Sequence, residues 1–142
     1  IKGPTILADG QPFLVGEQLL AVISAAGAGT YIDAAGTYFF GSPRRPSKIH
    51  LRQLLVGGDL GLLFRARGDT ITLGREGNDV NFPDDPFISG RHAQVQALPD
   101  GRFCLSDLGS KNGTFARISD EAVLEHGDFL FLGQQLLRVE LL

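Results

Sequence analysis

"LSDLGSKNGTF", residues 105–115, is the stretch on which the fold turns. It opens as the end of an apolar run beginning at residue 102, passes through Gly, Ser and Lys to an Asn-Gly pair, and re-emerges as the apolar-tending 114–116. Asn-Gly is the strongest short signal for a tight reversal, because glycine takes a positive φ with no Cβ to clash. The stretch therefore reads as strand, turn, strand. Working outward, the same alternation predicts strands near 49–56, 62–67, 70–74, 92–98, 102–107, 114–116, 128–132 and 136–141. Between them lie "VGGD", "ARGD", "EGND", "FPDDP", "LPDG", "SKNG" and "EHGD", each with Gly, Pro, Asn or Asp to reverse the chain. From residue 49 onward no apolar spacing of 3.6 persists for three turns, so the expectation is an all-β sandwich of two antiparallel sheets with 10–11 strands.

Composition bounds the rest. The chain has 142 residues, 43% hydrophobic and 20% charged, which suits one domain with an ordinary core plus a short extra element. A net charge of −3 supplies no basic field for nucleic acid, so none is expected as a partner. No run of 18 apolar residues and no basic-then-apolar leader is present, so neither a membrane nor secretion is expected and a cytoplasmic location is the reading. Cys104, the only cysteine, lies in the apolar "RFCLSD" and is expected as a small buried hydrophobe. His50 and His126 have no partners at metal-ligand spacing, so no metal or other cofactor is expected.

"GSPRRPSK", 41–48, combines two prolines with three cations and reads as a solvated linker. It separates an N-terminal segment, 1–45, from a main domain, 46–142. The N-terminal segment contains a repeat: "LADGQPFLVGEQLLAV", 7–22, overlays "LEHGDFLFLGQQLLRV", 124–139, at a constant offset of 117 with seven identities in sixteen positions. Residues 1–45 are thus expected to carry an extra β-hairpin, the remnant of a preceding copy of the same domain. An isolated hairpin is marginal in water, so its apolar face must be buried on the main sandwich or, as a homodimer through 1–45, on a second chain.

"FISGRHAQV", 87–95, poses the functional question, since a serine near a histidine first suggests a hydrolase. Ser89 and His92 span a loop-to-strand junction where i and i+3 need not face each other. No G-x-S-x-G elbow and no third orienting partner accompany them, so no enzyme is expected. Taken in order, Gly74-Arg75, Ser89-x-x-His92 and Asn112-Gly113-Thr114, followed by a last strand pair, resemble the forkhead-associated (FHA) domain, a phosphothreonine-binding β-sandwich. The resemblance covers about residues 48–142 and includes "LSDLGSKNGTF". Independently of it, a phosphate needs fixed donors on loops of a rigid scaffold, and Arg75, Ser89 and Lys111 are donors of suitable chemistry.

The resemblance implies a phosphopeptide-recognition module for protein–protein interaction in signalling downstream of a Ser/Thr kinase. Arg75, Ser89, Gly90 and Lys111 would meet the phosphate, and Asn112 would grip the peptide main chain with Phe87 and Arg91 flanking it. Gly74, His92, Gly113 and Thr114 would hold the loops. Two positions depart from the family: Gly90, where a phosphate-touching side chain is common, and Lys111, where a small polar residue is common. Asp84 and Asp85 are expected to repel acidic flanking residues. The style of the motif suggests a bacterial source. The competing expectation keeps the fold and drops the phosphate, leaving a module for constitutive assembly or oligomerisation.

Overall fold

The structure is a computed structural model describing residues 1–23, 49–55, 59–66, 68–118, 121–133 and 135–141. The linker read at 41–48 lies outside the described residues. Twelve strands are described: β1 (Thr5–Leu7), β2 (Pro12–Val15), β3 (Gln18–Ile23), β4 (His50–Leu54), β5 (Leu60–Arg65), β6 (Thr70–Gly74), β7 (Val80–Asn81), β8 (Ala93–Ala97), β9 (Phe103–Asp107), β10 (Thr114–Ala116), β11 (Phe129–Leu132) and β12 (Gln135–Arg138). They form one five-stranded sheet in the order β1-β9-β8-β6-β7, a second in the order β10-β2-β3-β4-β5, and a separate pair β11-β12. All pairings are antiparallel except β6 with β7.

Period-2 alternation explains the packing. In β6, Ile71 and Leu73 point inward while Thr70 and Thr72 are partly exposed; in β8, Ala93 and Val95 are buried and Gln96 is exposed. The second sheet turns Phe13, Val15, Leu20, Val22 and Leu51 onto the same core. Each such side chain contributes roughly 1.5–3 kcal/mol by leaving water. The all-β sandwich expected from sequence is what forms. Cys104 is half-buried at the edge of that core rather than enclosed in it.

The N-terminal hairpin is buried on the main sandwich, one of the two outcomes expected for it. β2 and β3 lie inside the second sheet, between β10 and β4, and β1 adds to the first sheet beside β9. Leu7, Phe13, Val15, Leu20 and Val22 are 0–3% exposed, so this hairpin buries its apolar face within its own chain. The element left outside both sheets is the C-terminal pair, where Phe129, Leu132, Leu136 and Leu137 are 46–58% exposed. Burial drives the difference: a strand pair with Phe13 and Val15 on one face completes the sheet, and only one pair fits between β10 and β4.

Candidate functional site

Three loops meet at one end of the sandwich: 75–79 after β6, 82–92 between β7 and β8, and 108–113 between β9 and β10. Arg75 leaves β6 with its backbone N–H donating to Ser89 O (3.0 Å) and Gly90 O (3.2 Å). Its guanidinium donates to Ile88 O at 2.8 Å and Asp85 O at 3.3 Å, so the side chain lies along the second loop. The Nε–H of Arg75 is buried and has no protein partner. Arg75 and Ser89 are therefore neighbours, joined through main chain.

His92 ties the second loop to the third. It is 0% exposed, accepts the Ser89 backbone N–H at Nδ1 (3.1 Å), and lies 2.8 Å from Gly113 O through Nε2. Since Nδ1 accepts, the ring is assigned the neutral tautomer with its proton on Nε2, donated to the carbonyl. The histidine thus faces the Ser89 main chain and not its hydroxyl. Ser89 Oγ accepts the Lys111 backbone N–H at 3.0 Å, leaving its own O–H to donate outward. Asn112 Nδ2 donates to Phe87 O at 2.8 Å, closing the third loop against the second.

Asp107, at the end of β9, shapes the third loop from below. Its carboxylate accepts the Ser110 and Thr114 hydroxyls and the backbone N–H groups of Gly109 and Ser110. Partial burial would raise its pKa, but the hydrogen bonds from Ser110 and Thr114, with His92 nearby, outweigh it and hold the carboxyl below its ordinary value of 3.8. A depressed folded-state pKa contributes stability above the unfolded value that is lost as pH falls through the folded one. Asp107→Asn is therefore expected to cost roughly 1–3 kcal/mol at pH 7 and to flatten the stability decline below about pH 4, read by urea unfolding against pH. An unchanged acid limb would show that the carboxylate is not what orders this loop.

Residues 71–133 match the FHA domain family. The chain is 31% identical over 96 residues to the "Oxoglutarate dehydrogenase inhibitor" of Corynebacterium efficiens, covering 66% of this chain and 67% of that protein. The chain belongs to the FHA family. It is also 35% identical over 91 residues to the "Glycogen accumulation regulator GarA" of Mycolicibacterium smegmatis, covering 63% of this chain and 57% of that protein. A second "Oxoglutarate dehydrogenase inhibitor", from Corynebacterium glutamicum, is 30% identical over 96 residues, covering 66% of each chain. These bacterial relatives carry the names of a regulator and of inhibitors.

In this FHA domain the residues singled out by sequence occupy one rim. Gly90, Arg91, Lys111, Asn112 and Phe87 are exposed on it, while Arg75 and Ser89 are half-buried behind them. Gly74 and His92 lie underneath, with Gly113 at φ +83° in the turn and Thr114 buried at the start of β10. A Cβ at Gly90 would meet open space, so packing does not require glycine there. Asp85 does not act as the flanking surface charge expected from sequence. It is 5% exposed, and its carboxylate accepts the N–H groups of Glu17 and Phe87 and the Gln18 amide.

Two residues with structural roles in the rim were not singled out from sequence: Asp107, and Asn78, whose Nδ2 donates to Gly90 O at 2.6 Å. An aspartate two before a glycine at a strand end, "DLG", is an Asx-turn signal that pointed to the first. A recess of about 300 Å³ lies nearby, bordered by Glu17, Asp84 and Asp85 among others. Its carboxylates oppose an anion, and none of Arg75, Ser89, Lys111 and Asn112 lines it. Among the described residues no cluster of His, Cys, Asp or Glu could hold a metal ion, and no helix is long and apolar enough to cross a membrane.

Proposed function

We propose that this FHA domain binds phosphothreonine-containing segments of partner proteins and so converts the output of a Ser/Thr kinase into protein association in the cytoplasm. The observation that carries the reading is the linkage of Arg75, Ser89, Lys111 and Asn112 across three loops of a stiff sandwich. The Ser89 hydroxyl, the Lys111 ammonium and the guanidinium of half-buried Arg75 are donors for a dianion with three acceptor oxygens. Asn112, exposed beside Phe87, would hold peptide main chain, and Arg91 adds positive charge to the rim. Gly90 contributes backbone rather than a side chain. The reading includes no catalysis, because the only imidazole beside Ser89 accepts from its backbone and cannot take its hydroxyl proton.

Isothermal titration with a phosphothreonine peptide and its unmodified twin tests the proposal. Wild type is expected to bind only the phosphorylated form. Ser89→Ala is expected to weaken it about tenfold, the worth of one charge-assisted bond, and Asn112→Ala to weaken it by a similar factor. Equal binding of both peptides by wild type would instead favour a phosphate-independent assembly module. The exposed apolar face of β11–β12 is the observation that would then gain weight.

A further inference from the structure

Hairpin β11–β12 repeats hairpin β2–β3 in three dimensions as well as in sequence. The pairs Pro12↔Ala21, Phe13↔Leu20, Leu14↔Leu19 and Val15↔Gln18 become Phe129↔Arg138, Leu130↔Leu137, Phe131↔Leu136 and Leu132↔Gln135, every residue displaced by 117. Gly10 N–H donates to Val22 O and Gly127 N–H to Val139 O, both at 2.8 Å; Gln11 N–H donates to Ala8 O and Asp128 N–H to Glu125 O, both at 3.1 Å. The side chains of Gln11 and Asp128 accept the N–H of Ala8 and Glu125 at 2.9 and 2.8 Å. The surroundings are opposite, for the first copy is buried and the second exposed.

We propose that the slot between β10 and β4 is an exchangeable hairpin-binding site, and that residues 122–139 of the same chain are its second ligand. Three observations support this assignment.

The apolar face matches. Leu7, Phe13, Val15, Leu20 and Val22 fill the slot, and their counterparts are Leu124, Leu130, Leu132, Leu137 and Val139. The volume lost in replacing Phe13 by leucine is partly restored by leucine in place of Val15, a swap that cores tolerate.

The polar contacts match as well. Gln18 Nε2 donates to Asp85 and Gln18 Oε1 accepts from Gln53, and the counterpart of Gln18 is Gln135, now exposed. Glutamine in both copies keeps the same pair of bonds available to either occupant.

The reach is short. The Ile1 ammonium donates to Thr114 O at 2.6 Å, and Thr5 pairs with Leu105. The counterpart of Ile1 is Ile118, only four residues beyond Thr114 in the chain, and the counterpart of Thr5 is Ala122. Six residues separate Ala116, the last of β10, from Ala122, and six extended residues span about 20 Å, so no long crossover is needed to return to β9.

In the present arrangement Lys2 Nζ pairs with Asp128 (2.6 Å) and Glu125 (3.0 Å), tethering the waiting hairpin to the segment that occupies the slot. The Lys2 and Glu125 side chains are 62% and 74% exposed and that of Asp128 11%, so the latch is only partly screened by solvent. The occupant's turn also contacts the loop carrying Phe87 and Ser89, since Glu17 and Gln18 hold the Asp85 carboxylate while Asp85 O receives Arg75. Exchange therefore acts on that loop. The inference stands whether or not the rim binds phosphate.

The experiment uses the full chain with Cys104→Ser. Leu19 pairs with Leu54 in the present arrangement, and Leu136 is the counterpart of Leu19. Phe131 packs on Phe115 of β10, which is three strand spacings, roughly 14 Å, from β4. Leu19→Cys/Leu54→Cys reports the present occupant and Leu54→Cys/Leu136→Cys the second. Both are expected to close an intramolecular disulfide in a glutathione redox buffer, read by mass spectrometry of the monomer. A Leu54→Cys/Leu136→Cys chain that stays reduced while the control closes overturns the proposal; a disulfide joining two chains overturns the same-chain assignment. Hydrogen exchange on the unmodified chain reads the same equilibrium without substitutions. The ladder amides of β2–β3 and β11–β12 are expected to have protection factors within about tenfold of each other. Protection of β2–β3 at the level of β6 and β8, with β11–β12 unprotected, overturns it.

Discussion

Arg75→Ala is expected to lower the affinity for a phosphothreonine peptide by about a hundredfold, equivalent to about 2.7 kcal/mol. Two losses combine. The guanidinium is the strongest donor on the rim, and a charge-assisted bond from it contributes roughly 1.5–3 kcal/mol. The same side chain also holds the carbonyls of Ile88 and Asp85, so without it the loop presenting Ser89 must be ordered at the moment of binding. Arg75→Lys separates the two effects: charge is retained, but a single ammonium cannot reproduce the planar fork, and a loss of about tenfold is expected. Calorimetric titration of both variants measures this. Wild-type affinity in Arg75→Ala would remove the guanidinium from the site and with it the proposed mode of recognition.

Gly74→Ala is expected to be the most damaging single substitution on the scaffold beneath the rim. A Cβ there would lie 2.2 Å from Gly90 O, 2.9 Å from Gly90 C and 2.4 Å from Asn78 Nδ2. Two of those atoms are backbone, so no rotamer change relieves the contact and either β6 or the 82–92 loop must move. Overpacking of this kind costs about 3 kcal/mol, which for a chain of this size lowers Tm by about 10 °C. Moving Gly90 also moves the carbonyl that receives the Arg75 N–H, so phosphopeptide affinity should fall together with stability. Thermal unfolding followed by circular dichroism provides the check, and a Tm within about 2 °C of wild type would mean the close approach is not rigid.

The strands that sequence located best are those with the cleanest local signal. The edges of β6 and β10 fall where the alternation of Ile71 and Leu73 and the Asn-Gly turn before Thr114 place them. β7 was not anticipated, because two residues running parallel to β6 carry no periodicity to detect. At the rim, the order of the Gly74-Arg75, Ser89-x-x-His92 and Asn112-Gly113-Thr114 motifs pointed to three loops, and those loops are joined by hydrogen bonds. The roles of Asp85 and Asn78 were not legible. Each bonds groups distant in the chain or across a loop, and in sequence a turn aspartate or asparagine looks the same whether it faces solvent or a buried N–H.

Sequence by itself determined the β class and the positions of the reversals. Those depend on side-chain alternation and on which residues tolerate positive φ, both properties of a few neighbouring residues. It also revealed that two hairpins share one pattern at an offset of 117. Which of them completes the sandwich was decided only in three dimensions, since both have the same register, the same glycines and nearly the same apolar face. The choice rests on packing between residues more than a hundred positions apart, where Phe13 and Leu130 compete for one cavity and only one can be inside.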